Sequence, residues 1–171
     1  MGRSAARQRG GSAVVEDPPI RLRLLAVGRL RAGPFAELQA LYAARIVPPP
    51  AIIEIEVRQR LPAAVLKARE AQLILEALPA GARLIALDER GALWSSRALS
   101  ERLAAWRDQA VAELAFTIGG ADGLGAAILD RADETMSLGP MTWPHLLVRG
   151  MLLEQLYRAQ QILAGHPYHR E

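Results

Sequence analysis

Cysteine is absent from all 171 residues of this chain. Its absence excludes disulfide bonds, zinc sites built on cysteine and catalysis by a thiol, and it favours a cytosolic protein. Lysine is nearly absent too, because Lys67 is the only lysine among 21 basic residues. The net charge of +3 and the pI of about 9.9 are compatible with an RNA partner but do not require one.

No apolar run is long enough to cross a membrane. The most apolar stretch, residues 146–153, is short and is interrupted by Arg149. Nothing before Ile20 has the apolar run of a signal peptide. We therefore expect no membrane segment, a disordered extension over residues 1–19 and a single domain over residues 20–171.

Several motifs of common enzyme classes are missing. The glycines of residues 119–125 have the wrong spacing for a dinucleotide-binding loop, and they follow a late strand instead of the first. The chain has neither a Gly-Lys-Ser/Thr phosphate loop nor a Gly-x-Ser-x-Gly elbow. His166 and His169 stand three residues apart, but no cysteine or other clear ligand accompanies them, so we expect no metal site.

Apolar periodicity predicts strands alternating with helices, and hence an α/β fold with a mostly parallel sheet. Residues 88–91 should form a turn, and Ser96 should cap the helix that follows. The expected strands cover residues 20–27, 51–57, 83–87, 113–118 and 134–138, and the expected helices cover residues 34–46, 61–78, 98–106, a short segment ending near 131, and 144–164.

Three of these strands end in loops that should meet. The ends lie at Leu87, at Ile118 with its glycines, and at Leu138. Open α/β sheets bind ligands at the carboxyl ends of their strands, and glycines there allow close approach to the backbone. We expect a pocket with apolar walls, backbone polar groups and no fixed cation, suited to a neutral or zwitterionic ligand that contains a purine. A plain tight turn at the glycines is the alternative.

The C-terminal helix is apolar on nearly every side around Arg149. A helix that is apolar all round is normally covered on both sides, so we expect one side to face the core and the other side to face a second subunit. Gly150 would permit another helix to approach closely. A buried arginine is uncommon unless it is paired or used, which leaves two interpretations of Arg149: contact with a ligand, or a salt bridge to Glu154 or another acid.

Five motifs carry a family resemblance. They are, in order, L-D-E-R-G-x-x-W-S-S from Leu87, I-G-G-A-D-G-L from Ile118, S-L-G-P-M-T-W-P-H-x-L-x-R from Ser137, L-x-E-Q-L-Y-R-A from Leu152, and H-P-Y-H-R-E at the C-terminus. Together with an opening L-L-A-V-G-R-L, these motifs resemble the bacterial large-subunit (23S) ribosomal RNA pseudouridine N3-methyltransferases, small members of the SPOUT methyltransferases. The resemblance covers residues 20–171.

The resemblance implies properties that periodicity does not reach. Members fold as an α/β sheet with helices on both faces and a C-terminal deep trefoil knot, and they form homodimers. They bind S-adenosylmethionine in the knot and act on the assembled 70S ribosome, in the cytoplasm. Carried over to this chain, the cofactor contacts would be Leu87, Gly119, Leu138, Gly139, Pro140, Met141, Thr142 and Trp143.

The reaction implied is methylation of N3 of a pseudouridine, which requires alignment and loss of the N3 proton. Arg149 is the candidate for stabilising the developing anion, and His169 for accepting or relaying the proton. Tyr168 would stack on the base or bond to it. The alternative from another class is a non-enzymatic protein that binds RNA or the ribosome, which would need the basic surface and the tail but not the pocket.

Overall fold

The computed structural model describes residues 19–168. Its secondary structure alternates strands with helices along the chain, as the periodicity predicts. The elements are β1 Arg21–Val27, α1 Pro34–Ala43, β2 Ala51–Ile55, α2 Ala63–Ala77, β3 Arg83–Leu93, α3 Ser96–Asp108, β4 Glu113–Ile118, α4 Ala126–Arg131, β5 Glu134–Ser137 and α5 His145–Leu163. The extension predicted over residues 1–19 lies outside the described residues, Pro19 apart, and so does the catalytic candidate His169.

The five strands form one sheet in the order β2-β1-β4-β3-β5, and every pair is parallel. All carboxyl ends therefore lie at one edge, which we call the carboxyl edge. The central strand β4 is buried at each of its six residues, as expected when helices cover both faces of a parallel sheet. The alternating sequence of residues 51–57 predicts a strand with a solvated or edge side, and β2 does lie at the edge of the sheet and keeps exposed residues.

Helices pack on both faces of the sheet, which confirms that part of the predicted fold. One apolar core lies between the sheet and α1, α3 and α5, and includes Phe116, Trp106 and Leu152. The other lies between the sheet and α2 and α4, and includes Ile74 and Ile128.

The prediction that the third strand stops at Leu87 is wrong. β3 continues to Leu93 because it pairs again with β5 beyond an irregularity, so that Leu87 and Ala92 both align with Met136. A Cβ on Gly91 would lie 2.6 Å from the carbonyl carbon of Met136, so residues 88–91 pass directly over the end of β5. This pairing depends on a segment more than forty residues away in sequence and leaves no local signal.

The predicted cap of α3 and the predicted first residue of α5 are also wrong, each by one residue. The oxygen of Ser95, rather than that of Ser96, accepts the capping bond from the backbone N–H of Ala98. Pro144 is the residue before α5 rather than its first residue. Gly165 follows the end of α5 with a left-handed φ of 67°, as predicted for a glycine in that position.

Helix α5 lies between α1 and α3 on one face of the sheet. Its buried side includes Leu152, Leu153 and Leu156, which confirms that one side faces the core. Gly150 does permit close approach of a helix, and that helix is α1 of the same chain: a Cβ on Gly150 would lie 2.5 Å from Leu38 Cδ2. Apolar residues at the start of the helix, residues 146–148, remain half-exposed.

Candidate functional site

A cavity of about 360 Å³ opens at the carboxyl edge, among residues 87–90 of β3 and the loops that follow β4 and β5. Its volume falls in the range of small-molecule sites. Seven of the eight residues that the resemblance assigns to the cofactor line it, and only Pro140 does not. The seven are Leu87, Gly119, Leu138, Gly139, Met141, Thr142 and Trp143.

The loop after β4 forms the floor of this cavity by folding back on itself. The backbone N–H of Gly123 donates to the carbonyl of Gly120 at 3.0 Å. A Cβ on Gly119 would lie 2.5 Å from the carbonyl carbon of Gly123 and 2.7 Å from the nitrogen of Leu124. Gly119 is therefore needed for the tight turn itself, and any side chain there would displace the loop.

The loop after β5 forms a second wall. Ser137 fixes its start, because the hydroxyl donates to the carbonyl of Gly139 and accepts from the N–H of the same residue. Gly139 has a left-handed φ of 111°, which favours glycine. Beyond it Met141 is 67% and Trp143 38% exposed, so this wall presents large apolar side chains to whatever enters the cavity.

The expected absence of a fixed cation is wrong. Lys67 from α2 and Arg90 from the segment over β5 both line the cavity. Arg90 is held by Asp88 at 3.4 Å, whereas Lys67 arrives from a helix that the strand-end argument did not include. Three carboxylates, those of Asp88, Glu89 and Asp122, also line the cavity, so its rim carries charges of both signs with an acidic excess.

Glu70 adds to this acidity from α2. A Cβ on Gly120 would lie 3.8 Å from both carboxylate oxygens of Glu70, which places that side chain beside the glycine loop. Burial raises the pKa of Glu70, and the nearby charge of Asp122 raises it further. The two carboxylates thus share one region of negative potential at the mouth of the cavity.

His145 is a cavity residue that the sequence reasoning did not select. It begins α5 and lines the cavity beside Val148. Burial lowers the pKa of His145, and the positive charge of Arg149 lowers it further, so the imidazole is held neutral at neutral pH. The signal for it was present in the sequence, since His145 directly follows the loop of residues 138–144 that the cofactor motif identifies.

Arg149 lies one turn further along α5 and is completely buried. Its guanidinium donates to Glu54 Oε1 at 2.9 Å and to the carbonyl oxygens of Val27 and Gly28 at 3.0 and 2.6 Å. Of the two interpretations left open by the sequence, the structure shows the salt bridge, with Glu54 as the acid. Arg149 thereby ties α5 to the ends of β1 and β2.

Tyr168 packs on the far part of α5. Its hydroxyl donates to Glu154 Oε1 at 3.2 Å, its ring meets Tyr157 edge-on, and Arg158 lies over its face. Desolvation, followed by the neighbouring Tyr42 and Glu154, raises the pKa of Tyr168 to about 12. Glu154 lines a second cavity, of about 750 Å³, which shares residues 136–139 with the first.

Neither a metal-binding cluster nor a membrane-spanning helix is found in the described part of the chain. Residues 19–168 contain no cluster of three or more side chains able to hold a metal ion. Within the same residues, no helix has the length and apolarity needed to cross a membrane.

Comparison with known proteins identifies relatives over nearly the whole chain. The family described as "Predicted SPOUT methyltransferase" matches residues 20–169. A protein of Rhodospirillum centenum named ribosomal RNA large subunit methyltransferase H is 56% identical over 151 residues, covering 88% of this chain and 99% of that protein. A protein of Rhodospirillum rubrum with the same name is 52% identical with the same coverage.

A solved structure with a similar fold is a probable methylase family protein from Haemophilus influenzae. It superimposes with a TM-score of 0.58 over 89% of this chain and 71% of that one, at 12% sequence identity. At this identity the likeness concerns the fold alone.

Proposed function

The chain belongs to the family of SPOUT methyltransferases, and from this premise we propose that it transfers the methyl group of S-adenosylmethionine to N3 of a pseudouridine in large-subunit ribosomal RNA. The observation that carries the proposal is the cavity at the carboxyl edge, which gathers seven of the eight residues assigned to the cofactor. The RNA part is supported by relatives named for large-subunit ribosomal RNA that align over 99% of their length.

The cavity fits S-adenosylmethionine in chemistry as well as in size. Leu87, Ile118 and Val148 supply apolar walls for a purine, and the glycine loops present backbone polar groups. The acidic excess at the rim suits a ligand with a positively charged sulfur and an ammonium group. The same carboxylates would repel a polyphosphate, so they disfavour a nucleotide triphosphate.

When bound, S-adenosylmethionine supplies a methyl group on a positively charged sulfur, which makes that methyl electrophilic. The residues of the chain must then orient the base and remove the N3 proton. His145 lines the cavity with its pKa lowered, and a neutral imidazole nitrogen is a proton acceptor. We assign it this role beside His169, the acceptor proposed from the tail.

Arg149 acts on the cavity through its neighbours in the described arrangement. For its guanidinium to stabilise an anion directly, it would have to exchange its bonds to Glu54 and the β1 carbonyls for bonds to the base. Its charge already lowers the pKa of His145, and its bonds fix the end of β1. Tyr168 would likewise have to leave Glu154 in order to stack on a base, so both roles imply movement on RNA binding.

The proposal also includes a C-terminal knot, a homodimer and the 70S ribosome as substrate. A trefoil knot at the C-terminus is supported by the position of residues 88–91. This segment crosses the end of β5, where the chain continues from β5 toward α5. A homodimer is supported by the half-exposed apolar residues at the start of α5. The assembled 70S ribosome as substrate, and hence a cytoplasmic location, follow from the resemblance.

The alternative, a ribosome-binding protein without catalysis, makes a different prediction about the cavity. Calorimetric titration with S-adenosylmethionine should give saturable binding. Met141→Arg should weaken it about tenfold or more, because it adds a positive charge to an apolar wall beside a cationic ligand. Val65→Arg is the matched control, since Val65 is also an exposed apolar residue, 51% exposed, but does not line the cavity.

Absence of binding at millimolar cofactor would favour the alternative. Product identity requires a second measurement, in which ribosomes are incubated with the protein and labelled S-adenosylmethionine and their RNA is digested for mass spectrometry. The expected product is a methylated pseudouridine. Equal labelling of ribosomes that carry uridine at the target position would refute pseudouridine specificity.

A further inference from the structure

Four exposed arginines lie on the two loops next to the cavity, and none of the family motifs includes all of them or gives them a role. Arg29 and Arg31 follow β1, and Arg58 and Arg60 follow β2. Because β1 lies beside β4 and β2 beside β1, these loops continue the carboxyl edge from the glycine loop outward. We call these four residues the arginine edge.

We propose that the arginine edge binds the phosphate backbone of the RNA substrate and so presents the target base to the neighbouring cavity. This proposal rests on the proposed function for the nature of the substrate. Guanidinium groups bind phosphate oxygens in a bidentate manner. Among the residues that the structure describes, Arg58 pairs with Glu56 at 3.6 Å while staying 87% exposed, and Arg29, Arg31 and Arg60 have no carboxylate partner.

The loop after β1 is fixed in place rather than left to move. The N–H of Leu30, between the two arginines, donates to Glu54 Oε1 at 2.7 Å, and the same oxygen accepts from Arg149. The N–H of Gly28 donates to the carbonyl of Ile55, which joins the ends of β1 and β2. An anchored backbone reduces the entropy cost when exposed side chains on either side bind a ligand.

The loop that carries Arg29 and Arg31 begins beside the cavity wall. A Cβ on Gly28 would lie 3.4 Å from His145 Nε2, and His145 lines the cavity. On the β3 side the rim carries Asp88 and Glu89 with Arg90 beside them, and the loop after β4 adds Asp122. Phosphates are therefore attracted to the β1 and β2 side and repelled from the β3 side, and this polarity orients the RNA with its backbone over the arginine edge.

The test compares two double variants that remove equal charge from opposite ends of the molecule. Arg29→Gln with Arg31→Gln alters the arginine edge. Arg21→Gln with Arg107→Gln is the control, since these side chains are 67% and 48% exposed and lie at the start of β1 and the end of α3. Binding to 70S ribosomes is measured as a function of salt, and S-adenosylmethionine binding by calorimetry.

We expect the arginine-edge variant to bind ribosomes about tenfold or more weakly at low salt. Its slope of log affinity against log salt should fall by roughly 0.7 to 0.9 for each phosphate that the protein no longer neutralises. Its affinity for S-adenosylmethionine should be unchanged, and the control should bind ribosomes like the wild type. An unchanged slope, or an equally weakened control, would overturn the proposal.

Failure of the proposed function gives a different pattern. In that case the wild type would bind ribosomes without methylating them, whereas the arginine-edge variant would still show lower affinity and a weaker salt dependence. Loss of ribosome binding together with loss of S-adenosylmethionine binding would assign the two arginines to folding of the cavity and would also overturn the proposal.

Discussion

At the scale of single residues, His145 and Arg149 form one electrostatic unit. Arg149 is a buried cation whose charge is balanced by Glu54 and by two carbonyl oxygens. Removing Glu54, whose side chain is 33% exposed, would leave the fully buried guanidinium without its carboxylate and should destabilise the fold. The pair therefore holds α5, β1 and β2 together, and the charge of Arg149 adds to the effect of burial in lowering the pKa of His145.

The lowered pKa of His145 predicts how stability depends on pH. The unfolded chain takes up a proton on this residue near its usual value of 6.5, and the folded chain does so only at lower pH. As the pH falls below that value the unfolded state binds more protons, so this residue contributes a loss of folding stability that ends once the folded imidazole is also protonated. His145→Gln should remove this contribution from urea-denaturation curves recorded between about pH 7.5 and pH 5.

The same variant tests catalysis. If His145 accepts the N3 proton, His145→Gln should lower the methyl-transfer rate at neutral pH by about 10²-fold and flatten the acid limb of the pH–rate profile. His166→Gln is the control, because His166 is exposed and lies beyond α5. If His145→Gln keeps the acid limb of the wild-type profile, His145 is not the proton acceptor, and His169 in the tail becomes the candidate.

Gly119 shows how the structure changes the reason behind a residue prediction. The motif places it against the cofactor, and the cavity does include it. The space a side chain would need, however, is filled by the backbone of Gly123 and Leu124. A valine at this position should therefore distort the loop as well as weaken the cofactor site, so a lower affinity in that variant would not by itself locate the ligand.

At the scale of elements, the packing of α1 against α5 is set by the missing side chain of Gly150. Gly150→Ala improves helix propensity by up to about 1 kcal/mol, but its Cβ would lie 2.5 Å from Leu38 Cδ2 and 2.7 Å from Cγ. Overpacking of this kind typically costs about 1–3 kcal/mol. We expect a net loss of stability in urea denaturation.

A double-mutant cycle isolates this packing. Leu38→Ala alone should destabilise the protein by removing apolar packing, and it should also make room for the new methyl group. The double variant should therefore be more stable than the sum of the single effects predicts, by at least about 0.5 kcal/mol. Additive effects would mean that α1 can shift away from α5 without loss of stability. Gly150 would then not set the distance between the two helices.

At the scale of the whole molecule, the exposed apolar side chains carry the prediction of a homodimer. Phe35, Leu41, Leu93, Met141 and Trp143 are all more than a third exposed, and large apolar side chains left exposed in this number are candidates for an association surface. Sedimentation at micromolar concentration should give a mass about twice 18.6 kDa. A stable monomer would contradict the prediction.

A charge on the half-exposed side of α5 should break the dimer. Met151→Glu places a carboxylate among the apolar residues of 146–153 and should give a monomer that still folds, as followed by circular dichroism. Leu163→Glu is the control, because Leu163 is 43% exposed at the far end of the same helix. Dimers that survive Met151→Glu would place the interface on another surface.

The sequence by itself determined the alternation of strands and helices, the parallel sheet and the edge position of β2. The local pattern of apolar residues predicts these features, because a buried parallel strand is continuously apolar and an edge strand alternates. The motifs also identified seven residues of one cavity although they stand on β3 and on two separate loops. Neighbouring parallel strands bring their ends together whatever the rest of the chain does, so this juxtaposition needed no further information.

Only the tertiary structure decided which groups meet across the sheet. Arg149 pairs with Glu54, 95 residues away, rather than with Glu154 in the next turns of its own helix. β3 continues beyond Leu87 because β5 is there to accept its hydrogen bonds, and Lys67 reaches the cavity because α2 packs beside the glycine loop. Such partners are chosen by long-range packing and charge burial, which leave no periodic trace along the chain.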